Sequence, residues 1–193
     1  MDEGCKRHRP RGRPRGFDTE AALDRAVAVF WRRGYAGAGL AELTAAMNIS
    51  PPSLYAAFGD KRGLFLAALD RYAATVGATP LVALRAAEHG AGLRAFLTAA
   101  GELAYDGESG RGCLAACVAA DAAGDDEAIR DRLAAMLRGY EEALQGTAGD
   151  GAPAGRVLLA AMHAIAVRAR AGAARADVEV LAEDLEAQLC QIT

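Results

Sequence analysis

Residues 34–65 read GYAGAGLAELTAAMNISPPSLYAAFGDKRGLF. The stretch holds two short helical patterns separated by very little chain. Leu40, Leu43 and Met47 share one face of a helix over about residues 39–46. Asn48 is a residue type that tolerates positive φ, as a tight turn between helices needs. Ser50 can accept hydrogen bonds from the first free N–H groups of a following helix. Pro51 suits that helix's first position, where no N–H is required. Leu54 and Phe58 then point inward, four residues apart, and Gly59 closes the segment. Asp60 is placed to cap the next helix. The spacing predicts two short helices joined by a tight turn.

Working outward, the apolar periodicity continues in both directions. Upstream, Asp18 is a plausible cap with Glu20 near the positive helix end. Leu23, Ala26, Val27, Phe30 and Trp31 form one stripe, and Gly34 is expected to end this first helix. Downstream, Leu64, Phe65, Ala68, Leu69, Tyr72 and Val76 mark a helix running to about Gly77. Thr79-Pro80 repeats the cap-then-proline start. Further helices are expected at about 80–88, 92–105, 113–123, 126–145, 155–171 and 177–191. Residues 106–112 and 146–155 read as loops. Residues 1–16 lack periodicity, carry Pro10 and Pro14, and are expected to form a flexible basic arm.

Composition points the same way. Of 193 residues, 48 are Ala, against 9 Val and 4 Ile. Alanine favours helix, and β-branched residues favour strands. The expected fold is therefore all-α. The apolar share of 52% is enough for a packed core and excludes disorder as the main state. No apolar run approaches the roughly 18 residues of a membrane span. The basic start leads into more arginine rather than an apolar segment, so no signal peptide is expected. The expected location is cytoplasmic, without membrane association.

Charge is unevenly distributed. Residues 1–75 carry 12 Lys and Arg against 8 Asp and Glu, whereas the whole chain has a net charge of −3. A basic end on an acidic remainder suggests one face directed at nucleic acid. A helix-turn-helix would use it in a defined way. Its second helix enters the major groove N-terminus first, and its first crosses the backbone.

These residues resemble a known family. Gly34-Tyr35, Leu43, Met47-Asn48-Ile49-Ser50, Ser53-Leu54-Tyr55, Phe58-Gly59-Asp60-Lys61 and Leu64-Phe65, preceded by Gly12-Arg13-Pro14-Arg15, are similar to the TetR family of bacterial transcriptional regulators. The detailed match covers about residues 12–72. The resemblance implies an all-α homodimer with an N-terminal three-helix DNA-binding domain and a larger C-terminal helical domain for ligand binding and dimerisation. The expected division is a basic arm at 1–16, a DNA-binding domain at 17–62 and a regulatory domain at 63–193.

The resemblance also implies roles. Ser50, Pro51, Pro52 and Ser53 would start the recognition helix. Tyr55 and Lys61 would reach phosphates, and Thr44 would lie near the backbone. Arg13 and Arg15 would enter the minor groove or track phosphates. Two departures stand out. Ala38 and Gly39 occupy the place where the family usually carries a capping Thr or Ser, and Asn48 replaces the usual turn Gly. Residues 50–58 also contain no Arg, Asn or Gln. Bidentate base readout from that helix is therefore not expected, which leaves Ser hydroxyls, thymine-methyl contacts, the arm and DNA shape.

The implied regulator is a repressor bound to a palindromic operator as a homodimer and released by a small molecule. The last two helices would form the dimer. Candidate pocket residues are Tyr72, Tyr105, Cys117, Met136, Tyr140, Met162 and His163, with Arg168 a further polar group. No cofactor, metal or catalytic residue is expected. Cys113 and Cys117, four apart, allow a thiol-oxidation trigger as an alternative. Two thiols make an incomplete zinc site, and buried apolar packing is the favoured reading. Cys190 is expected in the core or at the dimer interface. An all-helical enzyme ranks last, for want of a nucleophile elbow, a paired metal motif or a phosphate loop.

Overall fold

The computed structural model describes residues 17–88, 91–106, 109–148 and 155–191. The basic arm lies outside them. The chain is all-α, as expected. The first four helices are α1 (Thr19–Gly37), α2 (Leu40–Met47), α3 (Pro51–Phe58) and α4 (Lys61–Ala74). A 3-10 turn (Val76–Ala78) leads into α5 (Thr79–Ala86) and α6 (Gly92–Leu103). A two-residue antiparallel pair follows, β1 (Tyr105–Asp106) with β2 (Ser109–Gly110). A π-helical segment (Leu114–Ala119) runs into the short α7 (Ala120–Ala122). The chain then forms α8 (Glu127–Ala148), α9 (Gly155–Arg170) and α10 (Arg175–Leu189).

The predicted local signals operate at the first helix, but Thr79 does not cap α5: Ala78 stands at the N-cap and the Thr79 hydroxyl donates to Val76 O at 2.8 Å. The Asp18 carboxylate accepts from Glu20 N and Ala21 N at the start of α1. Gly34 adopts φ 72°, ψ 171° and breaks the helical path there, although hydrogen bonding resumes to Gly37. The expected helix end is thus a kink, at a residue type that accepts positive φ without strain.

Three expected elements differ. The helix beginning at Asp60 stops at Ala74 rather than Gly77, because Gly77 packs against Tyr72 and the chain tightens to 3-10 geometry. The segment expected as an α-helix at 113–123 starts as a π-helix. The expected loop at 106–112 contains the small hairpin. It is held because Arg111 N–H and Gly112 N–H both donate to Ala104 O.

Two apolar clusters form the interior. The first joins α1–α4 to the π-helical segment and the start of α8, through Phe30, Trp31, Phe65, Tyr72, Leu114 and Ile129. The second lies among α5, α6, α8, α9 and α10, around Phe96, Leu144 and Ile165. In the first, Phe65 meets Phe30 edge-on, with ring centroids at 4.8 Å, and lies 4.8 Å from Tyr35. Such aromatic contacts add to the area they bury. Phe65→Ala is expected to cost about 3–5 kcal/mol of stability, because it opens a cavity where the first helices meet α4. Urea unfolding followed by the emission of Trp31, the chain's single tryptophan, measures this directly.

Candidate nucleic-acid interface

The turn between α2 and α3 is built by local chemistry. Asn48 sits at φ 55°, ψ 46°, the left-handed conformation the turn requires, and it is the sole non-glycine residue at positive φ among the described residues. Ser50 caps α3, its Oγ accepting from Ser53 N at 3.3 Å. The Ser50 and Ser53 hydroxyls also hydrogen-bond to each other at 2.9 Å. Leu54 is fully buried and fixes α3 on the head. Gly63 permits the close approach of α4 to α3, since a Cβ there would stand 2.0 Å from Phe58 O.

The exposed side of α3 is formed by Pro51, Pro52, Tyr55 and Ala56, with Ser50 just before it and Ser53 half-buried beside it. Tyr55 is 50% exposed, so its ring is not a core element. This places five of the expected DNA-facing residues on one surface at the start of a helix. Pro51 and Pro52 carry no N–H, and those of Ser53 and Leu54 are taken by Ser50, so the helix dipole is what favours phosphate there.

Thr44 and Lys61 are placed differently from that surface. Thr44 is only 7% exposed, and its hydroxyl donates back to the carbonyls of Leu40 and Ala41. It is turned into the head. Lys61 Nζ donates to Ala36 O at 3.3 Å and lies 4.9 Å from the Tyr35 ring centre. Partial burial pushes its pKa down. It braces the segment leading into α2. Gly39 stands at the N-cap of α2 with no side-chain hydrogen bond. Arg13 and Arg15 lie outside the described residues.

Sequence reasoning did not find the arginines that fix the reading head. Arg32 and Arg33 both reach Glu42 Oε1, at 3.0 and 3.1 Å, tying α1 to α2. Their hydrogen bonds hold the Glu42 carboxyl below its usual pKa. Arg71 makes a forked contact with Asp24, and also reaches Glu20, tying α4 to α1. No spacing rule exposes such partners, because each pair is brought together by tertiary packing.

The chain contains a second candidate site. Tyr72, Met136, Tyr140, Met162 and His163 surround one cavity of about 20 Å³, joined by Cys113. Tyr105 and Cys117, expected with them, lie elsewhere. Tyr105 borders a groove between α6 and α10, and its hydroxyl donates to Ala173 O at 2.8 Å. Cys117 Sγ points at Ala166 O, 3.9 Å away. Arg168 is exposed on α9. Cys113 is buried, and its Sγ is 3.3 Å from the Tyr72 hydroxyl. Burial pushes the Cys113 thiol up, which disfavours the reactive thiolate. Cys190, expected in the core or at the dimer interface, is exposed in the protomer. No group of three or more His, Cys, Asp and Glu residues suited to a metal occurs among the described residues.

Comparison with known proteins agrees with this geometry. Residues 22–68 match the family described as bacterial regulatory proteins, tetR family. The transcriptional repressor ComR of Escherichia coli (strain K12) is 53% identical over 62 residues, 32% of this chain and 30% of that protein. The repressor BdcR of the same strain is 46% identical over 70 residues, 36% of each chain. The matched stretch therefore spans about a third of the length of these two relatives. A solved structure reaches further. A cysteine mutant of the TetR family transcriptional regulator CifR, complexed with 26-bp double-stranded operator DNA, is 33% identical. That match has a TM-score of 0.75 and covers 91% of this chain and 98% of the other. The chain belongs to the TetR family of transcriptional regulators. It is a DNA-binding helix-turn-helix protein, and among its described residues no helix is long and apolar enough to cross a membrane.

The left-handed turn of this regulator offers a local test. Asn48→Gly is expected to change stability by no more than roughly 0.5 kcal/mol. Asn48→Val is expected to cost about 1–2 kcal/mol, because a β-branched side chain clashes in the left-handed region. Thermal unfolding of the two variants beside the parent measures the difference.

Proposed function

We propose that this chain is a homodimeric repressor whose hold on its operator is released by a small molecule bound between α4, α8 and α9. The observation that carries the reading is the position of Tyr72. It borders the internal cavity on one side and packs edge-on against Trp31 of α1 on the other, with ring centroids at 5.1 Å. One buried side chain thus touches both the effector cavity and the helix that supports the reading head.

The junction around Trp31 is tightly specified. Its indole N–H donates to Arg111 O and Gly112 O, both at 3.1 Å. The Arg111 guanidinium covers the ring at 4.1 Å. Arg170 of α9 donates to Trp31 O at 3.0 Å. A ligand that displaces Tyr72 therefore bears on α1, the hairpin and α9 together. Binding shifts the balance between conformations only by its preference for one of them. Residues 63–193 act as the regulatory part in this reading.

Dimerisation is supported by the outer side of α9 and α10. Val157, Ala160, Ala164 and Val167 recur along the exposed side of α9. Val167 and, on α10, Val180 are 52% and 57% exposed in the protomer. Two such helices from each of two subunits would make a four-helix interface. A two-fold dimer presents two copies of α3 and matches a palindromic operator. On DNA, Ser50, Pro51, Pro52 and Ser53 meet base edges and thymine methyls. Tyr55 donates to a phosphate, with Lys61 and Thr44 in supporting positions. Arg13 and Arg15 follow the neighbouring groove.

The thiol-oxidation trigger has little support, because Cys113 is buried with a raised pKa and Cys117 faces a different neighbour. The test is an anisotropy titration against DNA flanking the protein's own gene, at several salt concentrations. Binding is expected with two subunits per site or a multiple of two, weakening steeply as salt rises. Tyr55→Phe is expected to weaken it about two- to tenfold on every sequence, as loss of one phosphate hydrogen bond would. Sequence-indifferent binding that ignores salt would defeat the reading.

A further inference from the structure

We infer that the cavity at Tyr72 takes a small uncharged molecule with an apolar body and one hydroxyl group, and that this hydroxyl hydrogen-bonds to His163 Nε2. The inference rests on the reading of that cavity as the effector site and names the chemistry of its ligand.

The argument starts from the polar atoms in the wall. The Tyr72 hydroxyl is engaged with Cys113 Sγ at 3.3 Å. The Tyr140 hydroxyl donates to Gly77 O at 2.8 Å. His163 Nε2 is buried and has no hydrogen-bond partner, the sole such side-chain atom among the described residues. A buried polar group left unmade costs free energy, so a ligand that completes it recovers that cost.

The ligand's charge follows from the rest of the wall. Ala73, Ala115, Met136, Leu137, Leu159 and Met162 supply apolar surface, and no Asp, Glu, Lys or Arg lines the cavity. Burial also lowers the His163 pKa, which keeps the imidazole neutral near pH 7. An ionised ligand would lose its hydration and meet no counter-charge. The neutral ring offers Nε2 as either donor or acceptor, depending on its tautomer. A hydroxyl group serves both cases, whereas a carbonyl or an ether serves only one.

Size follows from volume. A space of about 20 Å³ is far below that of an organic ligand, so the walls must part. Met136 and Met162 are unbranched and adapt readily. Tyr72 lines the same cavity, so a parting on its side moves the ring that packs on Trp31.

Isothermal titration calorimetry of the full chain with cyclohexanol, methylcyclohexane and cyclohexanecarboxylate tests the inference. Trp31 emission, followed in parallel, is transparent to all three. Cyclohexanol is expected to bind about tenfold or more tightly than either analogue and to change Trp31 emission saturably. His163→Leu should bring cyclohexanol down to the level of methylcyclohexane. The variant should fold at least as stably as the parent, because it removes an unsatisfied buried nitrogen. His163→Gln, which keeps a donor and an acceptor, should restore part of the preference. Equal or tighter binding of the carboxylate, an unchanged preference in His163→Leu, or no saturable binding by any probe would overturn the inference. Each of these results leaves salt-dependent operator binding by the unliganded protein intact. Loss of operator binding with probe binding retained would instead defeat the repressor reading.

Discussion

The contact between Trp31 and Tyr72 is the point on which the two halves of the molecule depend. Trp31 is nearly buried and contributes to four relationships at once. Its ring meets Tyr72 in a T-shaped contact, its N–H serves two carbonyls of the segment after the hairpin, its face is covered by Arg111, and its carbonyl is taken by Arg170. An indole fits this role because it combines a large apolar body with a single directed donor. The interior around it runs from the helix-turn-helix into the π-helical segment without a polar break. The head is therefore not hung on a linker. It shares a packed core with α4, the π-helical segment and α8, and close-packed cores transmit displacement rather than absorb it.

Much of the reading head was legible in the sequence because its signals are local. Asp18, Asn48, Ser50-Pro51, Gly59 and Asp60 each act on backbone groups within a few residues, so their effects could be read from spacing. The 3-10 turn at Val76, the π-helical segment at Leu114 and the hairpin at Tyr105 could not. Gly77 is shaped by its contact with Tyr72, and Gly110 lies against the backbone of Ala169. Arg111 and Gly112 donate back to Ala104 O. Those conformations are fixed by partners distant in sequence, and periodicity carries no record of them.

The cavity shows the same division. Met136 and Tyr140 of α8 and Met162 and His163 of α9 line one cavity because packing sets the two helices side by side, not because of their spacing along the chain. Tyr105 misled because it looked like one more polar-tipped aromatic near the end of α6. The hairpin turns it away, and its hydroxyl is spent on Ala173 O. Cys117 lies in the π-helical segment, and its Sγ is directed at Ala166 O rather than into the cavity. The unpaired nitrogen of His163 had no sequence signal, since being unpaired is a property of everything around it.

The narrowness of the cavity bears on how release would work. A space of about 20 Å³ is too small for an organic molecule, so an effector of the proposed kind would select a conformation with the walls apart. To lower operator affinity a hundredfold, it must favour the parted form by roughly 2.7 kcal/mol beyond the free energy that separates the two forms without it. Apolar contact and one completed hydrogen bond are together of that order. No large rearrangement of α3 is then required. The turn at Asn48 and the cap at Ser50 hold the recognition helix rigid within the head. In the proposed mechanism the head moves as a body, and Tyr72 stands where cavity and head meet.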